Sequence, residues 1–195
     1  MNKTIHYLPC TIVCHGECEL VLIRSLQNKK RRFLNPLAER SGKSSIEINT
    51  LNKFLSRRYP TKFDYIKENK SVLCLKNKKE IINHTIFTLM DKDNTDDVLF
   101  EEYKNSRIFF GYWWGEDGLI KPLYFNPDMD TVFTNHGFPI NTSKHKPAQY
   151  FKYLTTQYDQ VIKMLYSLSP SESNIKELLD YLNSLKWNTQ NLLNF

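Results

Sequence analysis

Along Thr4–Cys14 the even positions His6, Leu8, Cys10, Ile12 and Cys14 carry a mostly apolar face, and Thr11 and Val13 suit an extended backbone. This period of two predicts a strand. His15-Gly16-Glu17 follows as a turn, and the apolar run from Cys18 to Ile23 predicts a second strand closing a β-hairpin. Residues 27–43 hold too few regularly spaced apolar positions for a buried element and predict an exposed basic loop. Ser44 with Glu47 has the spacing of a capping box, and Ile48, Leu51, Phe54 and Leu55 recur at helical spacing until Pro60, which predicts a helix over 45–58.

Short strands are expected at 63–66 and 72–75, with a longer one at 81–90. The acidic stretch 91–97 can cap a short helix running through Tyr103. Ile108, Phe110, Tyr112 and Trp114 share one face of an expected strand, and a return strand spans 119–125, where Pro122 implies a sheet edge or a bulge. The pattern then changes. Residues 127–147 predict a loop, and apolar stripes over 148–168 and 174–193 predict two long helices, with Asn174 and Glu177 placed to cap the second. The fold class is therefore α+β: a mixed or antiparallel sheet with a C-terminal helical hairpin. One domain is expected over 1–195, sheet-rich in 1–126 and helical in 147–195.

Charge changes the picture more than composition does. The 195 residues are 41% hydrophobic and 13% aromatic, enough for a folded core, and the net charge is +6. Between Arg24 and Lys79, however, sixteen cations face four anions, a local +12, whereas 80–130 holds eleven acidic residues against four cations. Such asymmetry points to a partner. The expected partner is nucleic acid or another polyanion, met by a basic surface from residues 24–79 in which Lys29, Lys30, Arg31, Arg32, Lys53, Arg57 and Arg58 make phosphate contacts. The acidic segment 91–130 and the helical hairpin are expected to be the surfaces open to a protein partner. No run of 18 apolar residues occurs, and residues 1–11 lack the apolar core of a signal peptide, so no transmembrane segment is predicted and a cytoplasmic location is expected.

Four cysteines, at 10, 14, 18 and 74, are expected as reduced thiols. On a strand, Cys10 and Cys14 would stand about 13 Å apart, at roughly 3.3 Å per residue, too far to share one ion. No metal site and no cofactor are predicted from them. Thr11-Ile12-Val13-Cys14-His15-Gly16 and Val132-Phe133-Thr134-Asn135-His136-Gly137 each run an apolar stretch into His-Gly. The first resembles the His-Gly strand end of caspase-like cysteine proteases. That resemblance implies a cysteine hydrolase with Cys74 as nucleophile, Cys14 being the other thiol in question, and His15 or His136 as base. A further stretch, Asp64 followed by Val72-Leu73-Cys74-Leu75-Lys76, is similar to the core of PD-(D/E)xK nucleases. It implies a metal-dependent or degenerate nuclease using Asp64, Lys76 and a helix carboxylate such as Glu47, with Cys74 where that family has an acid. Polyanion binding is the leading expectation, the cysteine hydrolase its rival.

Overall fold

The computed structural model describes residues 9–30, 34–70, 73–77 and 80–185. The first strand, β1 (Cys10–Cys14), forms where expected, but it does not begin a hairpin. The chain enters helix α1 (Glu17–Lys30) and returns as β2 (Leu34–Leu37), which pairs parallel to β1 with Cys10 beside Leu34. A parallel pair needs a crossover, which is why Cys18–Ile23 is helical. A local signal supports it: the Gly16 N–H donates to Glu19 Oε2 at 2.8 Å, the backward reach of a capping box. The apolar run Cys18–Ile23 fits either period, and burial of Leu20, Ile23 and Leu26 against the sheet selects the helix. The expected loop over 27–43 thus contains the end of α1 and an edge strand, where Pro36 needs no ladder donor.

Residues 45–58 form a short 3₁₀ turn (Ile48–Thr50) leading into α2 (Leu51–Arg58). Helix α3 (Lys62–Asn69) stands where a strand over 63–66 was expected. Thr61 and Asp64 exchange capping-box hydrogen bonds at 3.1 and 3.2 Å, a helix start that outweighs the β-formers Phe63, Tyr65 and Ile66. Strands β3 (Cys74–Lys76) and β4 (Glu80–Ile82) make a separate antiparallel pair. Strand β5 (Thr85–Asp91) then pairs parallel to β1, and α4 (Asp97–Lys104) starts as expected from an acidic cap, the Asp96 carboxylate accepting from the Leu99 N–H at 2.9 Å.

The expected strand over 108–114 is instead a compact turn ending in α5 (Trp113–Glu116). A Cβ on Gly115 would lie 2.2 Å from the Phe109 carbonyl oxygen, so the chain folds back here with glycine. Tyr112 stacks on Trp114 at 4.9 Å. Strand β6 (Ile120–Phe125) completes the four-stranded parallel sheet, order β2-β1-β5-β6, with Pro122 on the edge strand as its sequence implied. The expected loop 127–147 holds α6 (Met129–Asn135). The helix expected over 148–168 is broken at Gln157 into α7 (Lys146–Thr156) and α8 (Tyr158–Ser167), and α9 (Lys176–Ser184) follows; 186–193 lie outside the described residues.

The molecule is α+β, with parallel and antiparallel strands in two sheets and helices at the C-terminal end. Alternation along β1 divides the core. Cys10, Ile12 and Cys14 pack with α1 and α6 to α9, whereas Val13 packs with α2, α3 and α4 on the opposite face. Among the described residues no helix is long and apolar enough to cross a membrane.

Candidate functional site

In the sheet order β2-β1-β5-β6, the connection from β1 leads to one side and β5 lies on the other, so the strand order reverses between β1 and β5. A crevice outside the carboxyl ends of the strands at such a point is where open α/β sheets hold ligands. Here that crevice is a cleft of about 440 Å³. Its walls come from the ends of three strands: His15 to Glu19 after β1, Asp91 and Asp93 at the end of β5, and Asp128 and Asp130 after β6.

Backbone hydrogen bonds hold these segments in register. The His15 N–H donates to the Leu89 carbonyl at 2.8 Å, the Asp93 N–H to the Pro127 carbonyl at 2.9 Å, and the Ile46 N–H to the His15 carbonyl at 2.8 Å. Gly42 brings a fourth segment against the start of α1: at φ +90° a Cβ there would lie 2.7 Å from the Glu17 Cα. Asp93 occupies the left-handed region at φ 40°, a conformation Asp tolerates better than most residues.

The carboxylates differ in how they are satisfied. Asp128 caps α6, accepting from the Thr131 N–H at 2.7 Å and its hydroxyl at 2.8 Å. Asp130 pairs with Lys146 and accepts from the Tyr150 hydroxyl at 2.6 Å. Glu19 accepts from the Gly16 N–H at 2.8 Å, and burial raises its pKa. Asp91 is 8% exposed, and its Oδ1 has no hydrogen-bond partner among the described residues. Burial, then the charges of Glu19, Asp93 and Asp128, push its pKa well above the ordinary carboxylate range. His15 is equally buried and its Nδ1 is likewise unpartnered, while its Nε2 lies 3.6 Å from Asp93 Oδ2. His15, Glu47 and Asp93 each present a ligand atom within 4.8 Å of the other two, the spacing of a shared cation.

The residues expected to act together are distributed otherwise. His15 lies in the cleft. His136 lies at the end of α6, where its Nε2 is 2.7 Å from Glu172 Oε1, and Cys74 lies in the small antiparallel sheet, paired with Ile82. Cys14 precedes His15 and Cys18 lines the same cleft, and burial raises the pKa of both thiols, opposite to what a nucleophile needs; Cys10, at the other end of β1, is pushed up to about 12. Of the nuclease-like residues, Asp64 is spent on capping α3 and Lys76 pairs with Glu80, while Glu47 reaches the cleft region.

The expected phosphate contacts divide between layers. Lys29 ends α1 on one face of the sheet, its Nζ over the Tyr158 ring, whereas Lys53, Arg57 and Arg58 lie on α2 against the other face. Arg57 pairs with Glu39 at 2.7 Å and Arg58 with Glu68 at 2.6 Å. Arg31, Arg32 and the side chain of Lys30 lie outside the described residues. Three other exposed cations stand near the cleft without an ion pair among the described residues: Arg40 and Lys43, flanking Gly42, and Lys144, just before α7.

The carboxylates had a sequence signal that the charge count hid. Two apolar strands are each followed by Asp-x-Asp, Asp91-Lys92-Asp93 at the end of β5 and Asp128-Met129-Asp130 just after β6, and β1 runs into His15-Gly16 with Glu19 one helical turn on. No protein-family model, curated protein or solved structure matches the chain.

Proposed function

We propose that this protein is a divalent-cation-dependent phosphodiesterase acting on nucleic acid at the acidic cleft. The observation that carries the reading is the buried Asp91 carboxylate, with one oxygen unpartnered, among Glu19, Asp93 and Asp128. Like charges gathered at a strand-end crevice are costly unless a cation neutralises them, and a bound cation converts that cost into binding energy. Oxygen donors suit a hard divalent ion, which can bind a phosphate oxygen and lower the pKa of a coordinated water.

Hydrolysis then needs only water. Its oxygen forms a bond to phosphorus, the ester P–O bond breaks, and one water proton ends on the leaving oxygen, directly or through solvent. Lys146 and the amino end of α1 border the cleft and favour the charge that accumulates on the phosphoryl oxygens. Arg40, Lys43 and Lys144 supply cations around an acidic floor, which suits a strand whose backbone crosses the cleft. The metal-dependent nuclease implied by the sequence is retained here with a different set of residues.

The test is cleavage of labelled single- and double-stranded DNA and RNA with Mg²⁺ or Mn²⁺. Cleavage that is abolished by EDTA and reduced at least about 100-fold by Asp91→Asn is expected, the loss of a directly acting group. Cleavage of none of the four substrates with either ion, or full activity in Asp91→Asn, would overturn the proposal.

A further inference from the structure

The geometry points to a cation site formed by His15, Glu47 and Asp93 that takes a borderline transition metal, with Mn²⁺ as its simplest occupant, in preference to Mg²⁺. This rests on the reading of the cleft as cation-dependent and adds one site beside Asp91, formed by other residues, and the ion that site takes.

Three segments bring the ligands together. His15 follows β1 and is fixed through its own backbone to Leu89 and Ile46; Glu47 immediately precedes the 3₁₀ turn before α2; Asp93 follows β5 and is anchored to Pro127. Their ligand atoms lie within 4.8 Å of one another, and ligands about 2.1 to 2.3 Å from a common ion stand at such separations. The imidazole itself is 8% exposed and lines the cleft; its Nε2 lies 3.6 Å from Asp93 Oδ2, and its Nδ1 has no hydrogen-bond partner among the described residues.

The donor set decides the ion. Mg²⁺ dehydrates reluctantly and prefers oxygen, so replacing a water with an imidazole gains it little. Mn²⁺ accepts carboxylate and imidazole together, and ions further along the series bind nitrogen more strongly still. The adjacent Cys14 turns to the other side of its strand, its Sγ toward the Ile12 carbonyl.

The experiment is Mn²⁺ titration of the metal-free full chain, followed by electron spin resonance, with no substrate present. One tightly bound Mn²⁺ is expected, retained against about a tenfold excess of Mg²⁺ and showing nitrogen modulation from a coordinated imidazole in the spin-echo spectrum. His15→Gln should remove the modulation and weaken Mn²⁺ about tenfold or more, with little change for Mg²⁺. Glu47→Gln leaves the ring in place, so it should keep the modulation while weakening Mn²⁺, and it carries the test if the His15 variant does not fold. Bound Mn²⁺ without nitrogen coupling, displacement by equimolar Mg²⁺, or nitrogen coupling that survives in folded His15→Gln would each overturn the assignment. Because no cleavage is measured, a failure here is distinct from a failure of the phosphodiesterase reading: activity without nitrogen coupling removes only the ion assignment, and coupling without activity removes only the reaction.

Discussion

Asp91 ends a strand of the sheet and Arg57 lies on a helix packed against that sheet; both are ionisable, and they meet opposite surroundings. Arg57 is largely exposed and reaches Glu39 at 2.7 Å; its neighbour Arg58 reaches Glu68 at 2.6 Å. Asp91 is buried among carboxylates of its own sign, and one of its oxygens meets no donor among the described residues. Exposed pairs of the first kind contribute about 0 to 1 kcal/mol. Buried like charges of the second kind destabilise the fold, and a fold that keeps them has a use for them at that place. A charge placed without its counterpart is thus more informative about function than a larger number of charges already paired.

The comparison breaks most sharply at Asp91. Replacing the carboxylate with its neutral isostere, Asp91→Asn, should raise the melting temperature of the metal-free protein at neutral pH even as it removes cleavage. Relief of one or two kcal/mol of buried repulsion corresponds to roughly 2 to 8 °C for a chain of this size. Differential scanning fluorimetry after exhaustive chelation reads it directly. A fall in melting temperature would mean that Asp91 is a structural acid, and the contrast with α2 would lose its meaning.

Glu172 sharpens the contrast from the other side, because it is an acid with partners. Its Oε1 lies 2.7 Å from His136 Nε2, and its Oε2 accepts from the Ser169 hydroxyl and N–H at 2.8 and 3.1 Å. The bond from His136 leads these in holding the carboxyl down to about 2. A native pKa below the unfolded value near 4.3 means that the native state binds fewer protons there. The stabilisation is complete above that unfolded value and is lost as pH falls through about 2. Glu172→Gln should therefore cost about 1 kcal/mol at pH 6, the order of a partly exposed ionic hydrogen bond, and progressively less toward pH 2. Urea melts of both forms across that range check it; a difference independent of pH would place the effect in packing.

What the sequence disclosed depended on whether a signal was local. The acidic cap of α4, the edge position of Pro122 and the extended run Cys10–Cys14 each rest on neighbours in the chain, and each stands. The run Cys18–Ile23 is apolar at nearly every position, so its period is ambiguous, and only the parallel pairing of β1 with β2 makes it a helix. Asp91, Asp93, Asp128 and Asp130 were visible as charge and not as a site, because β5 and β6 become neighbours only through a crossover that contains α4 and α5. The cations of residues 24–79 are divided because α1 and α2 pack on opposite faces, and Glu39 and Glu68, distant in the chain, answer two of the arginines.

The smallest effect separates the cations themselves. If Arg57 and Arg58 are occupied by Glu39 and Glu68, replacing both with alanine should change stability by no more than about 0.5 kcal/mol and leave nucleic-acid affinity nearly as salt-dependent as before. Arg40 and Lys43 have no such partner among the described residues and flank the glycine that brings their turn to the cleft. Each phosphate contact they make should lower the slope of log affinity against log salt by about 0.9 when the residue is replaced with alanine. Fluorescence anisotropy with a labelled single strand, in EDTA to prevent cleavage, measures both pairs under one set of conditions. A slope that falls for Arg57 and Arg58 but not for Arg40 and Lys43 would return the phosphate path to α2, and the acidic cleft would lose its claim to lie on that path.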